Sequence, residues 1–486
     1  MLYQISIADT QNHFIQFKYT IPHIHQDAIE LQLPAWRPGR YELQNFAKNI
    51  RLFNVMDDAG NTVNYKKVSK DRWHIETKGL SQIHINYQYY ANQPDAGACF
   101  VDENYLYINP VHCFMYVDGR ADEEYKLTFN LPDDYKIACQ MKAINKHQLI
   151  APNFDYLADS PLIASCTLMQ HTFKVTNTQI HIWFQGNHPF NIDRLIADTT
   201  AYTIKQIEVF GDLPCSDYHF LYLMHLYPAR HGVEHLDSTV IAMGKTPDQT
   251  VEEYYNDLLA ISSHELFHLW NIKRIRPVDM MPYNFTKENY STLGYVYEGV
   301  TTYYGDLMLM QSGVWNWEQY AASFNSDLKR HTTNQGRFNY SVAESSWDTW
   351  LDGYVPGVLG RKVSIYIEGM LAALIADITI IKNSNGKFSL HNVMQDLYQQ
   401  CYKQNKGYDE AIYRSLLEKY AGISFEHYFK TLIWGKGELQ NQLQTVLNEV
   451  GCTIMENKKG DFTINKLDKT STLQQELFNK WTNIND

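Results

Sequence analysis

The 486-residue chain has no paired cysteines, no block of basic residues and no long apolar run. Its seven cysteines, at positions 99, 113, 139, 166, 215, 401 and 452, are scattered and never form a Cys-x-x-Cys pair. That pattern argues against a disulfide framework and suits free thiols in a reducing compartment. The net charge is −12, and Lys and Arg form no extended basic block. A nucleic-acid or anionic-membrane partner is therefore not expected, because binding phosphates requires grouped cations. The longest apolar stretch, "MLAALIADITII" at 370–381, is too short to span a bilayer and contains Asp377. The opening "MLYQISIADTQNHFIQFKYT" lacks the charged start and apolar core of a secretory signal. A cytoplasmic protein is the expectation. Internal repeats and low-complexity linkers are missing too.

What is present is ordinary globular material, 44% hydrophobic and 20% charged, with aromatics at 14% including 35 tyrosines. The length exceeds one core, so two or three domains are expected. Residues 1–170 alternate apolar with polar in "YQISI", "HFIQFKYT", "RWHIETK", "QIHINYQYYA" and "YKLTFNLP", with turn clusters such as "DDAGN" between them. This predicts an N-terminal antiparallel, sandwich-like β domain. Residues 171–312 read as an α+β lobe, with a helix at 191–210, strands in "YHFLYLMHLY" and "STVIAM", and helices at 251–273 and 289–311. Residues 313–445 read as all-α, with helices at 316–330, 362–383, 389–403 and 408–419. Residues 446–486 form a short tail with one hairpin, "CTIMENKKGDFTINKL", and a short helix.

Within the helical pattern of 251–273 stands "SSHELFHLW", a polar cluster among Leu266, Phe267, Leu269 and Trp270. Burying two imidazoles and a carboxylate there is costly unless each finds a partner. His264 and His268, four residues apart, lie on one helix face about one turn apart. They can offer two nitrogens to one ion, with Glu265 rotated by about 100° beside it. H-E-x-x-H is the arrangement of zinc metalloproteases; the bland alternative is a solvent-facing histidine pair. A catalytic zinc takes three protein ligands. Glu298, among Leu293, Val296, Val300 and Leu307, is the candidate third; its alternative is a carboxylate favoured by a helix N-terminus. Lys273, Arg274 and Arg276 are explained as cations at a helix C-terminus, which Pro277 closes.

"SSHELFHLWNIKRIRP", followed thirty residues after His268 by "YEGVTTYYGDL", resembles the glycyl aminopeptidase family of zinc metallopeptidases, a gluzincin group. "LPAWRPGRYELQNFAKNI", "RHGVEHLDSTV" and "AESSWDTWLDGYVPGVLGRKVSIYIEG" are similar to further segments of that family, in order from near residue 1 to about residue 440. The resemblance implies a thermolysin-like catalytic domain with one Zn2+ per chain on His264, His268 and Glu298. It implies Glu265 as general base for a zinc-activated water and Tyr366, in a Tyr-x-x-Gly segment, as donor to the oxyanion. It also implies Glu234, in "GVEH", as the carboxylate that meets a peptide's free ammonium, beside Gly232. Plain packing is the alternative for Tyr366, and a turn glutamate at a strand start for Glu234. His231 and His235 are expected to be merely hydrogen-bonded. The chain departs from the pattern in Thr302, which is not an acid, and in the basic Arg37 and Arg40. Residues 446–486 are also too few for the PDZ domain usual in the family.

The implied activity is release of small N-terminal residues, glycine or alanine, from peptides. A zinc endopeptidase of the same fold and a catalytically silent peptide-binding homologue remain as alternatives, and the oligomeric state is open.

Overall fold

The computed structural model describes residues 1–355, 357–458 and 460–484. The chain makes two compact units that interleave along the sequence. The first comprises Met1–Pro189, Cys215–Tyr254 and Asn284–Glu288; the second comprises Phe190–Pro214, Tyr255–Tyr283 and Asn289–Asp486.

In the first unit the alternating segments become one seven-stranded and two four-stranded sheets. Strand pairs in these sheets are antiparallel with one exception among the described residues: Leu2–Asp9 runs parallel to Tyr125–Asn130. Tyrosines fill part of their inner faces. Tyr3 stacks on its cross-strand partner Tyr19 at 4.2 Å, Phe17 stacks on Tyr87 at 5.0 Å, and Phe114 meets Tyr3 and Phe17 edge-on. Two of these phenols reach carbonyls, Tyr3 at Met115 (3.0 Å) and Tyr87 at Cys113 (2.6 Å), which satisfies those two polar tips.

A five-stranded mixed sheet completes this unit, in the spatial order Met169–Val175, Thr178–Gln185, Asp217–Met224, Ser238–Gly244, Ala229–Glu234. Its inner pairs are parallel and its outer pairs antiparallel. Trp183, Leu221, Val233 and Val240 share a core with Tyr107 and Ile163 of the earlier strands. That shared core is why the compact unit runs past residue 170.

The second unit is helical: Ile192–Phe210, most of Val251–Phe267, Thr301–Gln311, Trp317–Thr333, Ile365–Asn383, Leu390–Gln400 and Glu410–Ala421. Two helices depart from the sequence expectation at the positions that matter for the site. Regular helix stops at Phe267 rather than at 273, and the segment from 289 begins only at Tyr295, as a π-turn. Beyond residue 446 a hairpin (Cys452–Glu456 with Phe462–Lys466) precedes the helix Thr472–Thr482. Trp481 of that helix is fully buried and donates to Tyr303 Oη at 2.9 Å, which itself donates to Asp377 at 2.6 Å. Asp377 also accepts the Leu390 N–H, and burial raises its carboxyl to about 6. The acid that interrupts the longest apolar run is thus an internal anchor for three helices. All seven cysteines are free, and among the described residues no helix is long and apolar enough to cross a membrane.

Candidate active site

The helix that carries His264 starts on a capping box, in which Thr250 Oγ1 accepts from Glu253 N–H while Glu253 accepts from Thr250 N–H. Its serine pair is structural. Ser262 bonds back to Leu258 O within the helix, and Ser263 Oγ reaches across to Gly305 O at 2.7 Å. Gln206 from the helix Ile192–Phe210 donates to both Ser263 O and Oγ. A Cβ on Gly305 would lie 3.2 Å from His264 Cα, so the helix Thr301–Gln311 approaches this turn very closely.

Past Phe267 the ladder loosens. His268 N–H still reaches His264 O at 3.3 Å, but Lys273 and Ile275 bond to carbonyls five residues back. Arg274, which is buried, caps Leu269 O at 3.0 Å and also donates to Pro214 O, while Arg276 lies over the Tyr283 ring. For Arg274 the helix-terminus explanation takes the form of direct carbonyl contacts, whereas the contact of Arg276 is with a ring.

The structure brings His264, His268 and Glu298 together. His268 Nε2 is 3.0 Å from His264 Nε2 and 3.3 Å from Glu298 Oε2, and one donor atom from each residue lies within 4.8 Å of the others. His268 and Glu298 are 2% exposed and His264 is half-buried. Two imidazole nitrogens and a carboxylate oxygen this close together could hold a metal ion, and are donors of the kind a catalytic zinc takes.

The surroundings fix how these groups point. His268 Nδ1 lies 2.7 Å from Asn271 O, a partner that can only accept, so Nδ1 carries a proton and Nε2 is the nitrogen that faces the other two groups. Asn271 in turn donates to Val296 O at 2.9 Å and to Thr301 Oγ1 at 3.1 Å, while Thr301 Oγ1 reaches Asn271 O and Tyr297 O. A buried amide and a buried hydroxyl therefore lock the loosened end of one helix to the turn that carries Glu298. The sequence pattern assigns no role to Asn271, Ser263 or Thr301; only the closeness of Asn271 to the H-E-x-x-H draws attention to it. Thr302 bonds Glu298 through its backbone carbonyl at 2.9 Å.

Glu298 lies inside the π-turn Tyr295–Val300, where an extra residue widens one helical turn before ordinary helix resumes at Thr301. Directly after it, Gly299 meets Gly369 of the helix Ile365–Asn383. A Cβ on Gly299 would stand 2.3 Å from Gly369 Cα, and one on Gly369 would stand 2.6 Å from Gly299 Cα. This crossing gives the Tyr-x-x-Gly segment a physical reason: its glycine is where the helix of Tyr366 touches the helix of Glu298. Tyr366, in the first turn of its helix, has its ring centroid 6.5 Å from that of His264. Glu265, one residue along from His264, is 5% exposed.

Glu234 belongs to the first unit, where it ends the edge strand Ala229–Glu234 and pairs in register with Thr239. It is at the strand's end rather than at a strand start, and it is buried. Its Oε1 makes no hydrogen bond among the described residues. The "RPGR" loop explains part of this setting. Arg37 to Arg40 form a tight turn with Arg40 N–H on Arg37 O, Pro38 at the second position and Gly39 at φ +77°. A Cβ on Gly39 would stand 2.4 Å from Glu234 Oε2, so the turn's glycine lies flat against the carboxylate. Of the two arginines, Arg37 is buried against Gly97 and Arg40 pairs with Glu42 at 2.5 Å. His231 and His235 each bond a carboxylate, Asp95 at 2.6 Å and Asp159 at 3.0 Å.

Both family models that match the chain belong to one family. The Peptidase M61 N-terminal domain matches residues 2–166, and the M61 glycyl aminopeptidase domain matches residues 257–372. The solved structure of an aminopeptidase N family protein from Idiomarina loihiensis has a TM-score of 0.87 at 27% identity, covering 94% of this chain and 79% of that one. Two structures of an M1 zinc metallopeptidase from Deinococcus radiodurans, one of them a mutant bound to a Tyr-Ser-Ala substrate, share the fold. Both have a TM-score of 0.53 at 11% identity, with 90% of this chain and 94% of theirs covered. Among curated protein sequences none matches significantly. With both domains of one family matched in order over more than half its length, the chain belongs to the M61 glycyl aminopeptidase family and is a metallopeptidase.

Proposed function

We propose that this protein is a zinc aminopeptidase that releases small N-terminal residues, glycine or alanine, from peptides. The observation that carries the metal chemistry is the convergence of His264, His268 and Glu298 donor atoms within 4.8 Å, two of them on one helical turn. These three residues would hold one Zn2+ per chain, which when bound supplies a Lewis acid and lowers the pKa of a water ligand to about 7. Glu265 takes the proton released as the peptide carbonyl is attacked and returns it to the departing amine. Tyr366 donates a hydrogen bond to the oxyanion that develops on that carbonyl; a neutral phenol is a donor at pH 7. Glu234, buried at the end of an edge strand with Gly39 against it, pairs with the substrate's free ammonium.

On this reading residues 1–170 are the accessory β domain, 171–445 the catalytic domain and 446–486 a tail; the family matches at 2–166 and 257–372 support the first two. Seven free thiols support work in a reducing compartment such as the cytoplasm. The preference for glycine or alanine rests on the family alone.

The ammonium role separates this function from an endopeptidase. A glycine anilide with a free amine is expected to be cleaved at least about 100-fold faster than its N-acetyl form, since an ion pair to a buried carboxylate is lost. Glu234→Gln is expected to remove most of that preference. Equal cleavage of both substrates by the unaltered protein would replace the aminopeptidase reading with the endopeptidase one.

A further inference from the structure

The hydroxyl of Tyr366 is not alone. Tyr354 Oη lies 3.1 Å from Tyr366 Oη, a phenol-to-phenol contact within the second unit. Tyr354 follows Gly353, which closes the short helix Thr349–Asp352 at φ 51° with its N–H on Thr349 O at 2.7 Å. Asp352 accepts Arg361 at 3.1 Å and pairs with Lys362 at 2.5 Å, and Asp348 pairs with the same Arg361. Ion pairs thus fasten the chain just before Tyr354 to the chain just before the helix of Tyr366. Tyr290 stacks on Trp347 at 4.7 Å at the start of the same stretch. Leu351, Val355, Val358 and Leu359 are exposed, and Tyr354 itself is 43% exposed, so burial does not account for where its hydroxyl points.

Each phenol has one hydrogen to give. If Tyr366 gives its hydrogen to a developing oxyanion, the bond between the two tyrosines has only one direction left: Tyr354 donates and Tyr366 Oη accepts. We infer that Tyr354 is a positioning residue that donates its hydroxyl hydrogen to Tyr366 and thereby turns the Tyr366 hydrogen toward the substrate carbonyl. This rests on the oxyanion role proposed for Tyr366. Accepting one hydrogen bond also strengthens the bond a hydroxyl gives, so the effect is polarisation as well as aim. Tyr354 makes no contact with reacting atoms on this account; it acts through Tyr366.

The test is a double-mutant cycle on the full chain with a glycine anilide. Tyr354→Phe keeps the ring and its packing, and it is expected to lower kcat roughly 10-fold with KM within about twofold. Tyr366→Phe is expected to lower kcat by about 100-fold or more. In the Tyr366→Phe background, Tyr354→Phe is expected to add nothing. Unchanged kcat in Tyr354→Phe alone, a matching change in KM, or a full additional loss in the double variant would each overturn the inference. Undiminished kcat in Tyr366→Phe alone would instead overturn the oxyanion role on which it rests.

Discussion

Replacing Glu265 by glutamine is expected to leave the protein folded and its metal bound while lowering kcat by about 1,000-fold or more. The argument is one of chemistry at constant shape. Glutamine has nearly the volume of glutamate and fits the same 5% exposed position, so packing around Leu266 and Phe267 is undisturbed. It cannot take up a proton at neutral pH, and proton uptake is the whole of the role proposed for this side chain. Glu265 is not one of the three proposed ligands, His264, His268 and Glu298, so the ion keeps its donors. Steady-state kinetics on a glycine anilide, with metal content measured on the same sample, gives both halves of the result. A variant within tenfold of the parent kcat would remove Glu265 from the proton-transfer role.

A change that touches no proposed catalytic group is expected to be almost as damaging. Gly369→Ala places a methyl group 2.6 Å from Gly299 Cα and 2.8 Å from Tyr295 Cα and O. These are backbone atoms of the turn that carries Glu298, so no side-chain rotation can make room. The two helices must part, and they hold Glu298 on one side and Tyr366 on the other. Overpacking of this kind costs about 3 kcal/mol of stability. A displacement of the order of 1 Å at the site costs roughly 100-fold in kcat/KM. Urea unfolding and kinetics on the same preparation measure the two effects. Parent-like values for both would mean that the crossing is far looser than the glycine contact requires.

The parts of this site that local rules govern were legible in the sequence. Four-residue spacing alone places His264 and His268 on one face, and period-two alternation alone recovers several of the longer strands of the first unit. Glu298 stood out as an acid among apolar residues, but only family resemblance made it the third ligand, because nothing local says which of many acids folds back to a histidine pair thirty residues away. The π-turn around it has no periodic signature, since one extra residue in one turn leaves the flanking helical pattern intact. Asn271, Ser263 and Thr301 went unnoticed for a related reason. Each is a small polar residue whose meaning lies in a partner on another helix, and single-sequence reading cannot supply the partner. The Asp377 carboxyl shows the same limit from the other side: it marked 370–381 as too polar for a membrane span, yet its role is to receive Tyr303 and Leu390. Gly39 was quoted within "RPGR", but its contact with Glu234 joins segments almost two hundred residues apart.

The account depends on an ion held by two imidazoles and a carboxylate, and its most direct test is elemental analysis of the purified, active chain beside a Glu298→Ala variant. The expected result is one zinc per parent chain and a variant that has lost both the metal and its activity. Full peptidase activity from protein carrying no metal, or a variant that keeps its zinc and its turnover, would contradict it.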